Sequence, residues 1–270
     1  GPHGRVMLED MSAHLKQTSL PSTNGAQPQQ RKPKLDFGRA GSTIKLQGIR
    51  GRIAEQMVRS KSTIPHYAYV EECDVTELVR MRASLRDRFA EEGLRLTYLP
   101  FFVKAATRAL KEVPIVNALM DEDAQEIHLQ DQYNVGIAVA STQGLIVPVI
   151  KKADELSIME LTRKINRLDD VAQTGKVKLE DRKGGTFRMN SVGSIGGMFS
   201  TPVINHPEVA ILGIGRIVRR PMFDERGNVV PADLVYLSLS FDHRVVDGAI
   251  GAEFTNALVR QLQQPASLLL

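Results

Sequence analysis

Apolar residues along the chain recur with two different periods, and these lay out the expected elements. Ile49, Ile53 and Met57 stand four apart, the spacing of an amphipathic helix that ends near Ser60. Pro65 then excludes helix, and residues 66–73 (HYAYVEEC) read as a strand. Asp74-Val75-Thr76-Glu77 has the form of a capping box, opening a helix through Phe89. Residues 99–112 predict another helix, apolar at Phe102, Ala105, Ala106 and Leu110. Pro100 fits its first turn and Pro114 ends it. Residues 134–140 and 145–150 predict strands. The second is almost continuously apolar, as expected of burial on both faces. A helix over 155–172 follows, then strands over 185–190 and 209–217 around a glycine-rich loop. A strand over 234–241 and a helix over 249–264 close the chain. Strands and helices interleave without a strict βαβ rhythm. The expected fold class is therefore α/β, a mixed sheet with helices on one face.

The N-terminal stretch lacks both periods. Residues 1–17 hold too few apolar side chains to form a core. Residues 18–43 shift to Pro, Gln, Ser, Gly and Lys, the composition of a flexible linker. The globular pattern covers 44–270. The chain starts at Gly1 rather than Met, as expected of a fragment or a processed product.

Composition then narrows the function classes. The 270 residues are 42% hydrophobic and 24% charged, ordinary for a soluble domain. Net charge is +4, and Arg31, Lys32 and Lys34 place most of that excess in the linker. Nucleic acid is thus not an expected partner, and aromatics at 5% with no Trp offer few stacking surfaces. No apolar run is long enough for a membrane span, so no membrane partner is expected. The one cysteine, Cys73, excludes an internal disulfide or a cysteine metal cluster, and a reducing compartment is the default. Glu71, Glu72 and Asp74 surround it, so its thiol should not be activated. His3, His14, His128 and His206 lack the i, i+4 spacing of a zinc helix. They are expected at the surface, with no metal bound, and His66 is expected to be structural.

Two segments could carry chemistry. In residues 236–248 (YLSLSFDHRVVDG) an alternating strand runs into Asp242-His243-Arg244, with Asp247 four residues past the histidine. Imidazole titrates near pH 6.5, so His243 could act as a general base, and the carboxylate could orient it or an arginine. A hydrogen-bonded turn explains the same spacing. In residues 184–202 (GGTFRMNSVGSIGGMFSTP), Asn190 and Ser191 lie where strand meets glycine-rich loop. They could donate to an oxyanion, or satisfy their own backbone. Neither dinucleotide nor P-loop spacing is present.

Taken together these residues resemble the dihydrolipoamide acyltransferases, the E2 components of 2-oxo acid dehydrogenase complexes. The resemblance rests on Ile64-Pro65-His66, residues 144–150 (GLIVPVI), 184–187 (GGTF), 194–197 (SIGG), 207–213 (PEVAILG) and 242–248 (DHRVVDG), in family order across 44–270. Residues 1–17 resemble the end of the peripheral-subunit-binding domain, with Gly1-Pro2 read as native. The resemblance implies a chloramphenicol-acetyltransferase-like two-layer sandwich, a homotrimer assembling into a 24-mer or 60-mer, and an active-site channel between subunits. It implies acyl transfer from dihydrolipoamide, carried on a lipoyl domain absent from this chain, to coenzyme A. Partners would be the E1 and E3 dehydrogenase subunits, held through the upstream binding domain. The location would be cytoplasmic in a bacterium, the favoured case, or the mitochondrial matrix in a eukaryote.

Residue by residue, His243 matches the family's base and Asp247 the second motif carboxylate. Asn190 stands where the family has Ser or Thr as oxyanion donor. Arg82, Thr97, Ser191 and Gly215 fall at coenzyme A contacts. Ala140 stands where the branched-chain type has an acid, so that contact is either missing or supplied by Ser141. Residues 64–79 and the Arg82 helix resemble the branched-chain type most. A pyruvate-type acetyltransferase, a non-catalytic E3-binding subunit and a stand-alone chloramphenicol-type enzyme are the alternatives.

Overall fold

The computed structural model describes residues 38–269, apart from 142, 143, 175, 176, 179, 192, 194 and 195. The expected binding-domain remnant and most of the expected linker therefore lie outside the described residues. Five helices are described: α1 (Gly48–Thr63), α2 (Thr76–Glu91), α3 (Leu99–Glu112), α4 (Ile158–Gln173) and α5 (Gly248–Gln263). The principal strands are β1 (His66–Asp74), β4 (Val135–Ile137), β7 (Val149–Ile150), β8 (Phe187–Ser191), β9 (Ala210–Ile214), β10 (Val218–Phe223) and β11 (Val229–Asp242). They form one seven-stranded sheet, ordered β1-β11-β9-β8-β4-β7, with β10 on the first part of β11. β8 lies parallel to both β4 and β9, whereas β11 is antiparallel to its neighbours, so the sheet is mixed as expected. Two hairpins stand apart: β2 (Ala118–Asp121) with β3 (Glu126–Leu129), and β5 (Val139–Ser141) with β6 (Gly144–Ile146).

Strand alternation separates two faces. Phe187 and Met189 of β8, Leu212 and Ile214 of β9, and Leu237, Leu239 and Phe241 of β11 are buried in the main core. That core also takes Leu78 of α2, Phe101 and Leu110 of α3, Leu161 of α4 and Phe254 of α5. α5 packs closely on β11. A Cβ on Gly251 would lie 2.5 Å from the Phe241 ring, so only glycine admits this approach. The second face carries Ile211, which packs with Ile64 and Ile204 in a separate small cluster. Ser200 and Pro202 cross the same face, at 3.3–3.4 Å from where a Cβ on Gly213 would sit.

α1 departs from its expected basis. Ile53 of the proposed apolar stripe is 40% exposed. Polar ties hold the helix instead: Gln56 Nε2 donates to the His206 carbonyl at 2.8 Å, and Ser60 Oγ donates to the Ile204 carbonyl and accepts from the His206 N–H.

The capping box expected at residues 74–77 does not form. Asp74 Oδ1 instead accepts from Thr76 N–H and its hydroxyl, and Glu77 reaches Arg80. A complete box occurs at α4, where Ser157 and Glu160 bond reciprocally. The single strand expected over 145–150 is broken at Val147-Pro148, since proline cannot donate to a ladder. Leu145 is 55% exposed on its hairpin rather than buried. The strand expected over 209–217 ends at Ile214, and beyond it Arg216 N–H turns to the Gly197 carbonyl.

On the second face Arg188 Nε meets both oxygens of Glu208 at 2.8 and 2.9 Å, and Asn205 donates to the same carboxylate at 3.1 Å. Burial pushes the Glu208 carboxyl above its ordinary range, and Arg188 opposes that shift.

Replacing Arg188 by Met should leave this carboxylate unpaired and cost about 3–5 kcal/mol, read by denaturant unfolding. A carboxyl with a raised folded-state pKa loses stabilisation as pH rises, so the deficit should widen above pH 4.5 and narrow below it. Adding Glu208→Gln should recover much of the loss. Ser157→Ala should cost about 1 kcal/mol through the lost cap. Glu160 is held below its ordinary range by Ser157, so this deficit should instead shrink as pH falls through the carboxylate range.

Candidate functional site

Alternation along β11 brings Phe241 into the core and Asp242 onto the opposite face, where it is 1% exposed. A carboxylate so buried needs compensation. Asp242 receives the Arg244 N–H at 3.0 Å, Arg244 Nε at 3.0 and 3.1 Å, and Arg244 Nη2 at 2.7 Å. Its carbonyl accepts from Val245 and Val246, so the chain turns sharply around this residue. Hydrogen bonds to Asp242 and Glu122 raise the Arg244 pKa above its ordinary value.

His243 is thereby left exposed at the end of the strand. Its N–H donates to the Pro65 carbonyl at 3.0 Å, and its ring stands edge-on to Tyr67 at 5.0 Å between centroids. Among the described residues, no side chain hydrogen-bonds its ring nitrogens. Such an imidazole is open to a proton-bearing substrate.

Asp247 does not orient that ring. It is the N-cap of α5, accepting from Ile250 N–H at 2.8 Å. The arginine of the motif is held by Asp242, not by Asp247. Asp247 thus fixes where the turn ends and the helix begins.

Asn190 lies at the other end of the sheet. It pairs in register with Gly213 of β9, which pairs with Ser238 of β11. His243 follows Ser238 by five residues, which places it about 17 Å further along the strand direction, two strands across from Asn190. Asn190 shares the second face with Arg188, while Ser191 turns to the helix side. One protomer therefore does not bring the two candidate catalytic groups together.

Three of the expected coenzyme A contacts lie together. Thr97, Ser191 and Gly215 line one cavity of about 320 Å³, together with Tyr98, Phe102 and Arg216. Arg82 reaches its edge: its guanidinium lies 4.8 Å over the Tyr98 ring, and its Nε donates to the Leu96 carbonyl at 3.0 Å. Gly215 has a structural reason as well, since the Met198 carbonyl occupies the space a side chain would need. Ser141 lies on the β5–β6 hairpin. Arg216 was not singled out from sequence, because nothing in its local pattern distinguishes it from a surface charge.

The remaining titratable groups sort plainly. Cys73 is buried, and burial, with Asp74 and Glu71 adding, pushes its thiol up to about 12. His66 is structural, with Nδ1 at 2.9 Å from the Ile64 carbonyl and Nε2 accepting from Ile204 N–H. His206 is a correction. It is 8% exposed rather than at the surface, because Gln56 and Ser60 draw its backbone against α1. Among the described residues no His, Cys, Asp and Glu cluster could hold a metal ion, and no helix is long and apolar enough to cross a membrane.

Comparisons with known proteins place the chain in a family. Over its full length the chain is 42% identical to the dihydrolipoyllysine-residue acetyltransferase component of the Staphylococcus epidermidis pyruvate dehydrogenase complex, covering 65% of that protein. It is 41% identical to the lipoamide acyltransferase component of the Pseudomonas aeruginosa branched-chain alpha-keto acid dehydrogenase complex, covering 62% of it. The chain thus spans just under two thirds of the length of these relatives. Two solved structures match 89% of this chain and all of their own, each with a TM-score of 0.80 and 33% identity. One is the cubic core of the pyruvate dehydrogenase multienzyme complex. The other is the dihydrolipoamide acetyltransferase of Azotobacter vinelandii, studied for the role of a serine, a histidine and an asparagine in its catalytic mechanism. Residues 39–270 match the family model for the catalytic domain of the 2-oxoacid dehydrogenases acyltransferases, and the chain belongs to that family.

Proposed function

We propose that this chain transfers an acyl group from a dihydrolipoamide thioester to coenzyme A, as the core of a 2-oxo acid dehydrogenase complex. The observation that carries the reading is His243, an exposed imidazole at the end of β11 whose ring nitrogens bond no side chain among the described residues, in a chain of this family. His243 takes the proton of the coenzyme A thiol, and the thiolate attacks the thioester carbonyl. The tetrahedral intermediate carries its negative charge on oxygen, and the Asn190 amide donates to it. Collapse breaks the bond to the dihydrolipoyl sulfur, which receives the proton back from His243. Asp247 positions the turn that carries the base.

Asn190 and His243 lie too far apart in one protomer to share a substrate. The site therefore forms between copies of the chain, as a trimer within a larger core. The cubic core among the related structures supports such an assembly. The cavity at Thr97, Ser191 and Gly215 takes coenzyme A. Its lining is uncharged apart from Arg216, which suits an amide-bearing arm ending in phosphates. E1 and E3 dehydrogenase subunits and a lipoyl domain complete the complex. A cytoplasmic location accords with the bacterial sources of the relatives.

The acyl group we assign is branched-chain, on residues 64–79 and the Arg82 helix. Relatives of both the pyruvate and the branched-chain type stand at nearly equal identity. Isobutyryl- and isovaleryl-dihydrolipoamide should then show higher kcat/KM than acetyl-dihydrolipoamide, and the reverse order would assign the acetyl group.

His243→Ala should lower kcat by about 10²–10⁴-fold with little change in KM. Near-normal turnover would remove the base from the mechanism. Asn190→Ala should cost about 2.7–4 kcal/mol in the transition state. A loss below about 0.5 kcal/mol would move the oxyanion contact to another group. Light scattering should report a trimer or a larger core, and an active monomer would sink the shared site.

A further inference from the structure

The β2–β3 hairpin carries a side chain whose placement the hairpin itself does not require. Its turn is already satisfied, since Asp121 Oδ1 accepts from Asp123 N–H at 3.1 Å and from Ala124 N–H at 3.0 Å. Its attachment to the body is backbone: Met120 N–H donates to the Pro207 carbonyl, and Val209 N–H to the Ala118 carbonyl. Glu122, between them, takes part in none of these bonds. Its carboxylate reaches outward to two other segments. Oε1 accepts from Arg244 Nη2 at 3.0 Å, and Oε2 lies 3.3 Å from His206 Nε2.

Both contacts matter to the turn that carries His243. Arg244 is the neighbour of His243, and its guanidinium is the only cation bonded to the buried Asp242 among the described residues. His206 sits on a segment fixed independently by Gln56 and Ser60 of α1. Its Nε2 is buried, with no hydrogen-bond partner among the described residues, and the Glu122 carboxylate stands 3.3 Å from it. Glu122 thus ties a mobile kind of group, an arginine head, to a frame built from α1 and the hairpin. Among the described residues no side chain hydrogen-bonds the His243 ring, so its orientation follows its backbone and Tyr67.

We propose that Glu122 is a positioning residue for His243: by bridging Arg244 to His206 it holds the 242–247 turn in the orientation that presents the imidazole. This rests on the reading of His243 as the base. The role is electrostatic and geometric, and Glu122 is placed at no reacting atom. A side chain 29% exposed can be neutralised without opening the core, so the isosteric amide should fold normally.

The test is acyl transfer from acyl-dihydrolipoamide to coenzyme A, measured on the purified assembled protein. Glu122→Gln should lower kcat about 5–20-fold, with KM for coenzyme A within twofold and with melting temperature and particle size unchanged. Glu122→Asp, which keeps the charge, should recover part of the loss. In an Arg244→Lys background, Glu122→Gln should add little, because the bridge is already broken. An unchanged kcat in Glu122→Gln would overturn the proposal. So would a fall in kcat that tracks a fall in melting temperature, or an effect fully additive with Arg244→Lys. His243→Ala is assayed alongside. If that variant keeps its turnover, the reading of the base fails. If it loses turnover while Glu122→Gln does not, only the positioning role fails.

Discussion

The ion pair between Asp242 and Arg244 governs the end of β11. A carboxylate with 1% of its surface exposed is stable only if its charge is met where it stands. Here the partner comes from two residues along the same chain, so the backbone must fold back on itself to deliver it. The residue between them is His243. Its side chain is turned away from both partners, and its exposure follows from their commitment to each other. Phe241 on one side and Val246 on the other are fully buried, which pins the turn at both ends.

The same alternation that settles β11 settles the rest of the sheet. On β8 it sends Ser191 to the helix layer, beside Thr97 and Gly215, and keeps Asn190 on the other face with Arg188 and Glu208. Adjacent residues thereby serve different regions of the molecule. The expected substrate contacts gather on one face at one end of the sheet, and the expected base stands at the opposite end.

Much of this was legible in sequence, for reasons that can be named. The helices α3 and α5 and the strand β11 carry strong periodicity, and Asn190 and Ser191 separate by a rule of period two. Local chemistry was less readable. The Asp74 motif matches a capping box in letters, yet its carboxylate is taken by Thr76, whose hydroxyl also accepts from the Asp233 N–H of β11. The S-x-x-E at Ser157 was the true box and was equally visible. The β2–β3 and β10–β11 hairpins were missed, although 224–228 (DERGN) is a turn by composition, with Gly227 at φ +79°. The contacts of Glu122 and the burial of His206 had no sequence signal, because they join segments more than eighty residues apart.

The distance between Asn190 and His243 also bears on how such a chain can change over time. A substitution at a contact between copies would damage turnover without touching a catalytic side chain. Selection for rate and selection for assembly would then act on the same surfaces. Dilution would become an inhibitor, since a dissociated subunit would retain its fold and lose its chemistry.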